Sequence, residues 1–170
     1  MKFDVRYANH PDDSKRYDTA ELREKYLIEK LFAEDDILLT YSHQDRSIAG
    51  GAMPVKKSLS LGTFKELATN FFLERREMGV INIGGAGTIT LDGKVYNIGF
   101  KEGIYIGMGT KEVTFASVDA SKPAKFYINS CPAHKTYPTV KITKPVEGVP
   151  APEGTAYCIQ RHLGTEAGMN

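Results

Sequence analysis

The chain has 170 residues, enough for one substantial core, since a domain of about 150 residues buries roughly 70% of the surface its unfolded form exposes. Hydrophobic residues make up 41% and charged residues 25%, the balance of a globular protein, and no apolar run approaches the roughly 18 residues of a membrane span. Lys and Arg number 22 against 21 Asp and Glu, interspersed along the chain, so there is no basic field to attract nucleic acid or an anionic membrane.

The first residues, Met1 to Arg6, are charged and carry neither an apolar signal core nor a small-residue cleavage site, which predicts a cytoplasmic protein. The first clear element is a helix. Asp18 followed by Glu21 forms a capping-box pattern, and Leu22, Tyr26, Leu27 and Leu31 recur at helical spacing, predicting a helix from Thr19 to about Phe32.

From Asp36 the texture changes to short runs of β-branched and aromatic residues broken by Gly and Pro. The runs Ile37–Thr40, Lys57–Leu61, Phe71–Leu73 and Val80–Ile83 read as strands, as do Ile104–Ile106, Val113–Val118 and Lys125–Ile128. Between them, Thr88–Leu91 and Lys94–Ile98 alternate polar and apolar residues around Asp92-Gly93, the dipeptide suited to a two-residue hairpin turn. About ten closely spaced strands imply a sandwich or closed barrel.

Beyond Thr143 the prolines Pro145, Pro150 and Pro152 exclude a central strand and suggest a linker, followed by about 16 residues that include Tyr157, Cys158 and His162. The predicted organisation is an arm and helix over 1–35, a β domain over 36–143, and a Pro/Gly-rich linker and tail over 144–170.

Few residues suggest chemistry by spacing alone. The two cysteines, Cys131 and Cys158, lie far apart and read as two free thiols, with Cys131 a buried small hydrophobe in preference to a nucleophile. The four histidines, His10, His43, His134 and His162, form no His-x-His pair. Gly84-Gly85-Ala86-Gly87 resembles a phosphate loop, but Thr-Ile-Thr-Leu follows it, so a turn opening a strand is expected.

The stretch from Gly79 through Gly93, continuing to Gly99, Gly103–Ile106 and Gly109-Thr110, resembles the pattern of the cupins, small double-sheet barrels (jelly rolls). In that family two His and a Glu before the stretch and a His after its last turn hold a metal. The corresponding positions here are Asn70, Phe72, Glu77 and Glu112. Phe72 offers no lone pair, so no metal site is expected in this barrel.

Three segments, Tyr41–Arg46, Phe72–Gly87 and Pro132–Pro138, look like the amino-terminal half of the 5-keto-4-deoxyuronate isomerases (4-deoxy-L-threo-5-hexosulose-uronate ketol-isomerases). The resemblance implies a mainly β, cupin-like double-sheet barrel with one amino-terminal helix, homo-oligomer assembly, and a lineage activity in pectin breakdown that interconverts keto sugar acids. It also implies a zinc ion held by a second barrel, whose ligands have no counterpart here because this sequence stops at Asn170, about where that barrel would begin.

On that resemblance the chain alone is expected to lack isomerase activity. The weak substrate-binding candidates are Arg46, Arg75 and Arg76, since a guanidinium grips a carboxylate through two hydrogen bonds. Strand alternation puts Arg75 and Glu77 on one side and Glu74 and Arg76 on the other, but an ion-pair cluster or subunit contact is preferred to substrate binding for these charges. His43, Asp45 and His134 are further polar candidates, with a turn or interface role preferred for each. The rival to the enzyme reading is a non-catalytic scaffold or assembly module that binds a sugar acid weakly.

Overall fold

The computed structural model describes residues 1–143. Among the described residues eleven strands fall in two sheets, one of seven strands in the order β1-β2-β3-β10-β5-β8-β11 and one of four in the order β4-β9-β6-β7. The larger comprises β1 (Lys2–Arg6), β2 (Asp36–Ser42), β3 (Ile48–Met53), β5 (Arg76–Asn82), β8 (Gly103–Ile106), β10 (Phe126–Pro132) and β11 (Val140–Ile142). The smaller comprises β4 (Leu59–Ser60), β6 (Gly87–Leu91), β7 (Lys94–Ile98) and β9 (Val113–Ser117). All pairings are antiparallel except the edge pair β1 with β2.

The expected mainly β, double-sheet architecture is present. Its closure is not: among the described residues no ladder joins the two sheets, so the fold is an open sandwich rather than a sealed barrel. Alternation along the strands explains the core. Ile37, Leu39 and Tyr41 of β2, Met78 and Val80 of β5, Ile104 and Ile106 of β8, and Phe126 and Ile128 of β10 all point between the sheets. Opposite them stand Ile89, Ile98 and Phe115 of the smaller sheet, and Phe115 packs on Phe126 with ring centroids 5.3 Å apart. The space between these strands is thus filled with hydrocarbon.

The predicted hairpin is β6–β7, with Leu91 opposite Lys94. Its two turn residues have φ of 45° at Asp92 and 85° at Gly93, the positive pair that a right-twisted two-residue hairpin requires. The glycine run 84–87 leads into strand β6, as expected.

The structure corrects several expectations. Phe71–Leu73 forms a turn rather than a strand, and Phe72 and Leu73 are buried because the turn folds them under the core. The helix, here α2, covers only Thr19–Tyr26, after a short α1 at Pro11–Ser14. Its capping box is present, with Glu21 N donating to Asp18 Oδ1 at 2.8 Å and Asp18 N donating to Glu21 Oε2 at 2.9 Å.

The helix buries none of its residues, so it rests on its cap, local pairs and the hydrogen bond between the Tyr26 and Ser14 hydroxyls rather than on core packing, and at Leu27 the backbone turns extended. The chain then crosses the outer face of the large sheet, where Leu31 and Phe32 lie over Gly51. A Cβ at Gly51 would stand 2.5 Å from Phe32 Cε1 and 2.7 Å from the Leu31 carbonyl oxygen, so this crossing requires glycine.

Strands β1, β3 and β11 carry no clear sequence signal. The Ile-Ala-Gly-Gly-Ala-Met of β3 has poor strand propensity, yet β3 is held on both sides, by β2 and by β10. The linker and tail, with Cys158 and His162, lie outside the described residues.

Candidate functional site

At one end of the sandwich, strands β2, β3, β5 and β10 bring polar groups to the inward row. Tyr41 lies opposite Ile48, Ser130 opposite both Ile48 and Met78, and Arg76 opposite Pro132. Arg76 therefore follows Met78 and Val80 in the same inward file and is only 4% exposed.

Its guanidinium is held by protein oxygens. Nε donates to Ser130 Oγ at 3.1 Å, and Nη2 donates to the Ser130 carbonyl at 2.9 Å and to the Arg46 carbonyl at 2.7 Å. Ser130 Oγ in turn donates to the Glu77 carbonyl at 2.6 Å. The Tyr41 ring lies 5.8 Å from the guanidinium carbon. Among the described residues no carboxylate lies within 4.0 Å of Arg76, so the charge is met by dipoles and a π face alone. Burial lowers its pKa, and Tyr41 and Cys131 offset part of that effect.

The rim above Arg76 is the turn between β2 and β3. Asp45 and Arg46 both adopt positive φ there, 56° and 51°, and their side chains are exposed. His43 donates its backbone N–H to the Arg6 carbonyl at 2.8 Å, and its ring stacks on Tyr7 at 4.7 Å and meets the edge of Tyr41 at 5.0 Å. The fold thus gathers His43, Asp45, Arg46 and Arg76 at one end of the sandwich. Tyr41 and Ser130 belong with them, although sequence reasoning missed both: each looks like an ordinary strand residue until the register places it against Arg76.

The other candidates have separate tasks. Arg75 is exposed and donates to the Ala68 carbonyl at 2.6 Å, while Glu74 Oε2 accepts the Asn70 N–H at 2.5 Å. Both tie down the turn before β5. His134 is exposed in the stretch after β10, edge-on to Tyr137 at 6.1 Å. The alternation expected over residues 74–77 begins only at Arg76, where β5 starts. Glu74, Arg75, Arg76 and Glu77 form no mutual ion pair among the described residues, because each binds backbone or neutral groups instead.

Glu77 points to the outer face. Tyr105 donates its hydroxyl to Glu77 Oε2 at 2.7 Å, and Cys131 donates its thiol to Oε1 at 3.5 Å. Cys131 is free and exposed, which corrects the expectation of a buried hydrophobe. The strand ladder puts it directly opposite Glu77 on the outward row. Desolvation and then the Glu77 carboxylate raise the thiol pKa, so the thiol form is favoured.

The four positions that the cupin pattern would assign to a metal do not converge. Phe72 is in the core against Phe64, Glu77 faces outward, and Asn70 and Glu112 are exposed. Among the described residues no three His, Cys, Asp or Glu side chains are grouped to hold a metal ion. These residues do not fit a zinc site.

Comparison with known proteins places the chain in a family. The family model described as KduI/IolB family matches residues 26–162. The 4-deoxy-L-threo-5-hexosulose-uronate ketol-isomerase of Lachnoclostridium phytofermentans is 52% identical over 167 residues, covering 98% of this chain and 56% of that protein. Proteins of the same name from Formosa agariphila and Escherichia coli are 54% and 56% identical over 143 and 142 residues, each match covering 51% of the relative and 84% and 82% of this chain. The chain spans about half the length of the curated relatives it matches. A solved cupin protein of Bacteroides fragilis aligns with a TM-score of 0.41 at 12% identity, over 74% of this chain and 95% of its own. By the extent of the family match and the identity of these relatives, the chain belongs to the KduI/IolB family.

Proposed function

We propose that these residues form the amino-terminal β domain of a 4-deoxy-L-threo-5-hexosulose-uronate ketol-isomerase, a cytoplasmic homo-oligomer of uronate and pectin catabolism, and that the domain alone has no appreciable turnover. The observation carrying this reading is the match to the Lachnoclostridium phytofermentans isomerase, continuous over 98% of this chain and about half of that protein.

The reaction itself sets the demands. A ketol isomerisation removes a proton from the carbon beside a carbonyl and returns it to the neighbour, through an enediol-like state with negative charge on oxygen. It needs a base within hydrogen-bond reach of that carbon and a positive group on the oxygen. In this domain the buried cation, Arg76, is tied to Ser130 and Arg46, and the candidate carboxylate, Glu77, faces the opposite side of the sheet. The two are arranged back to back rather than around a shared substrate. Zinc, which the family resemblance assigns to a second barrel, finds no ligand set among the described residues, so no step of the reaction is assigned to it here.

Purified 170-residue protein assayed with the uronate, with and without added zinc, tests the proposal. No turnover and no stoichiometric zinc are expected, and robust turnover would overturn it. The scaffold reading is favoured by one observation: the space between the sheets is filled by Met78, Val80, Ile104, Ile106, Phe126 and Ile128. Under that reading the domain supports assembly, and addition of a separately expressed second half to the same assay leaves turnover no higher than that half gives alone.

A further inference from the structure

The outer face of the large sheet is covered only in part. Leu31 and Phe32 lie over Gly51 of β3, whereas beyond β3 the outward side chains of Ile81, Tyr127, Tyr105 and Val140 are exposed or half-buried. Strand alternation sets this face. Met78, Val80, Phe126 and Ile128 are buried between the sheets, so the residues between them on β5 and β10 point the other way. The ladder pairs them as Cys131 with Glu77, Asn129 with Gly79 and Tyr127 with Ile81. It runs one step further, because Ile83 donates its N–H to the Lys125 carbonyl at 2.8 Å. Ile83 and Lys125 therefore extend the same outward rows, and both are exposed.

The charges on this face lie only at its ends. Among the outward residues of β10, β5, β8 and β11 the one charge is Glu77, with Lys125 standing just before β10 at the other end. The middle is aromatic, aliphatic and amide surface, with Ile81 48% and Ile83 47% exposed. Depletion of charge around tyrosine and aliphatic side chains is the composition of an interface core.

Glu77 has neutral partners alone, the Tyr105 hydroxyl and the Cys131 thiol. Neither it nor Lys125 makes an ion pair among the described residues. Six residue steps of strand, about 20 Å, separate their levels, so the two cannot meet within one molecule.

We infer that two copies of this chain meet face to face here, about a twofold axis that lies in the interface and crosses the strands near the level of Val80. Such an axis reverses the strand direction. It sets Glu77 of each copy against the partner's Lys125, with Ile81 and Tyr127 of both copies in the uncharged middle. A twofold along the strands would instead oppose Glu77 to Glu77, which like charge disfavours. The face thus carries its own complement, the requirement of a twofold contact between identical surfaces.

Four strands about 4.8 Å apart and about 20 Å long give roughly 400 Å² of footprint on each copy, or about 800–1,000 Å² for the pair, the size of a weak, reversible contact. The inference builds on the homo-oligomer part of the proposed function by naming a surface for it. Its test does not involve turnover, so its failure leaves the isomerase reading standing.

The test is sedimentation velocity on the 170-residue chain from about 1 to about 500 µM, where a reversible dimer with a Kd of about 10–100 µM is expected. Glu77→Lys and Lys125→Glu are each expected to weaken it at least ten-fold, since either variant opposes like charges. Their equimolar mixture is expected to return to within about three-fold of the parent, because one variant then carries both cations and the other both carboxylates.

Should Glu77→Lys misfold, Ile81→Lys and Lys125→Glu change only exposed side chains, and each is expected to weaken the dimer at least ten-fold. A monomer at the highest concentration, a dimer unchanged in natively folded variants, or a mixture no tighter than its components would each overturn the inference. So would a monomer whose Ile81 and Tyr127 amide resonances shift only when the carboxyl-terminal half of the Lachnoclostridium phytofermentans isomerase is added, which would give the face to that half.

Discussion

Arg76 offers the sharpest test of how this end of the sandwich is held. Replacing it with Met keeps the length and apolar stem but removes three hydrogen bonds, at 2.7, 2.9 and 3.1 Å, and the contact over Tyr41. Hydrogen bonds from a charged donor contribute about 1.5–3 kcal/mol each, and the cation–π contact adds about 0.5–2. Opposing this, the variant no longer desolvates a guanidinium, an effective penalty of several kcal/mol.

No carboxylate within 4.0 Å loses its partner in the variant, since none faces Arg76 among the described residues, so the larger loss seen on breaking a buried ion pair does not apply. The balance is a destabilisation of about 1–3 kcal/mol, from the carbonyls of Ser130 and Arg46 losing the Arg76 donor. With a urea slope of about 2 kcal/mol per molar, the midpoint falls by roughly 0.5–1.5 M.

Arg76→Lys is expected to lose at least as much. It keeps the buried charge, but an ammonium cannot reproduce the planar fork that reaches both Ser130 and Arg46. The chain has no tryptophan and nine tyrosines, so urea unfolding is followed by tyrosine fluorescence and far-ultraviolet circular dichroism. A Met variant with an unchanged midpoint, or a Lys variant that matches the parent, would refute the reasoning.

Three further outcomes follow from particular contacts. Gly51→Ala forces a methyl against Phe32 and Leu31 and should cost about 1–3 kcal/mol, the usual range for overpacking, with faster amide exchange over residues 31–35; an unchanged exchange pattern contradicts the close crossing. Glu77→Gln removes the charge that helps hold Cys131 as a thiol, so in a Cys158→Ser background iodoacetamide should alkylate Cys131 faster at pH 7.5 and the pH profile should move to lower values. An unmoved profile means that the carboxylate does not govern the thiol. Asp35 accepts the backbone N–H groups of Val55 and Lys56, each at 2.8 Å, and of Lys57 at 3.3 Å; the Val55 bond is the largest cause of its lowered pKa.

A folded value below the unfolded one, about 3.9, means that Asp35's contribution is fully present above that pH and lost as pH falls through the folded value. Asp35→Asn tolerates the same positive φ, so the stability gap between parent and variant should shrink from pH 7 to pH 2.5 in urea titrations. A constant gap across that range means that the charge is not what the three amides require.

Local chemistry was readable without coordinates. The alternation around Asp92-Gly93 dictates a hairpin because only a tight turn with two positive φ angles suits the twist of its strands. The Asp18–Glu21 capping box specifies where α2 starts, since side chains within one turn satisfy its free amides. The resemblance of Tyr41–Arg46, Phe72–Gly87 and Pro132–Pro138 to the uronate isomerases anticipated the family that the wider comparison shows.

What residues do across the sheet was not readable in this way. Glycine-rich β3 becomes a strand through its neighbours, α2 ends early because Leu31 and Phe32 are needed over Gly51, and Phe71–Leu73 turns because Phe72 and Leu73 are buried under the core. The side of the sheet taken by Arg76 and by Glu77 depends on where β5 begins, and a shift of one residue exchanges inside for outside. The parallel pairing of β1 with β2 likewise joins residues more than thirty positions apart. Periodicity and capping act over a few residues, whereas register, edge pairing and the partners of a buried charge are set by contacts between distant segments, and only the tertiary structure decides those.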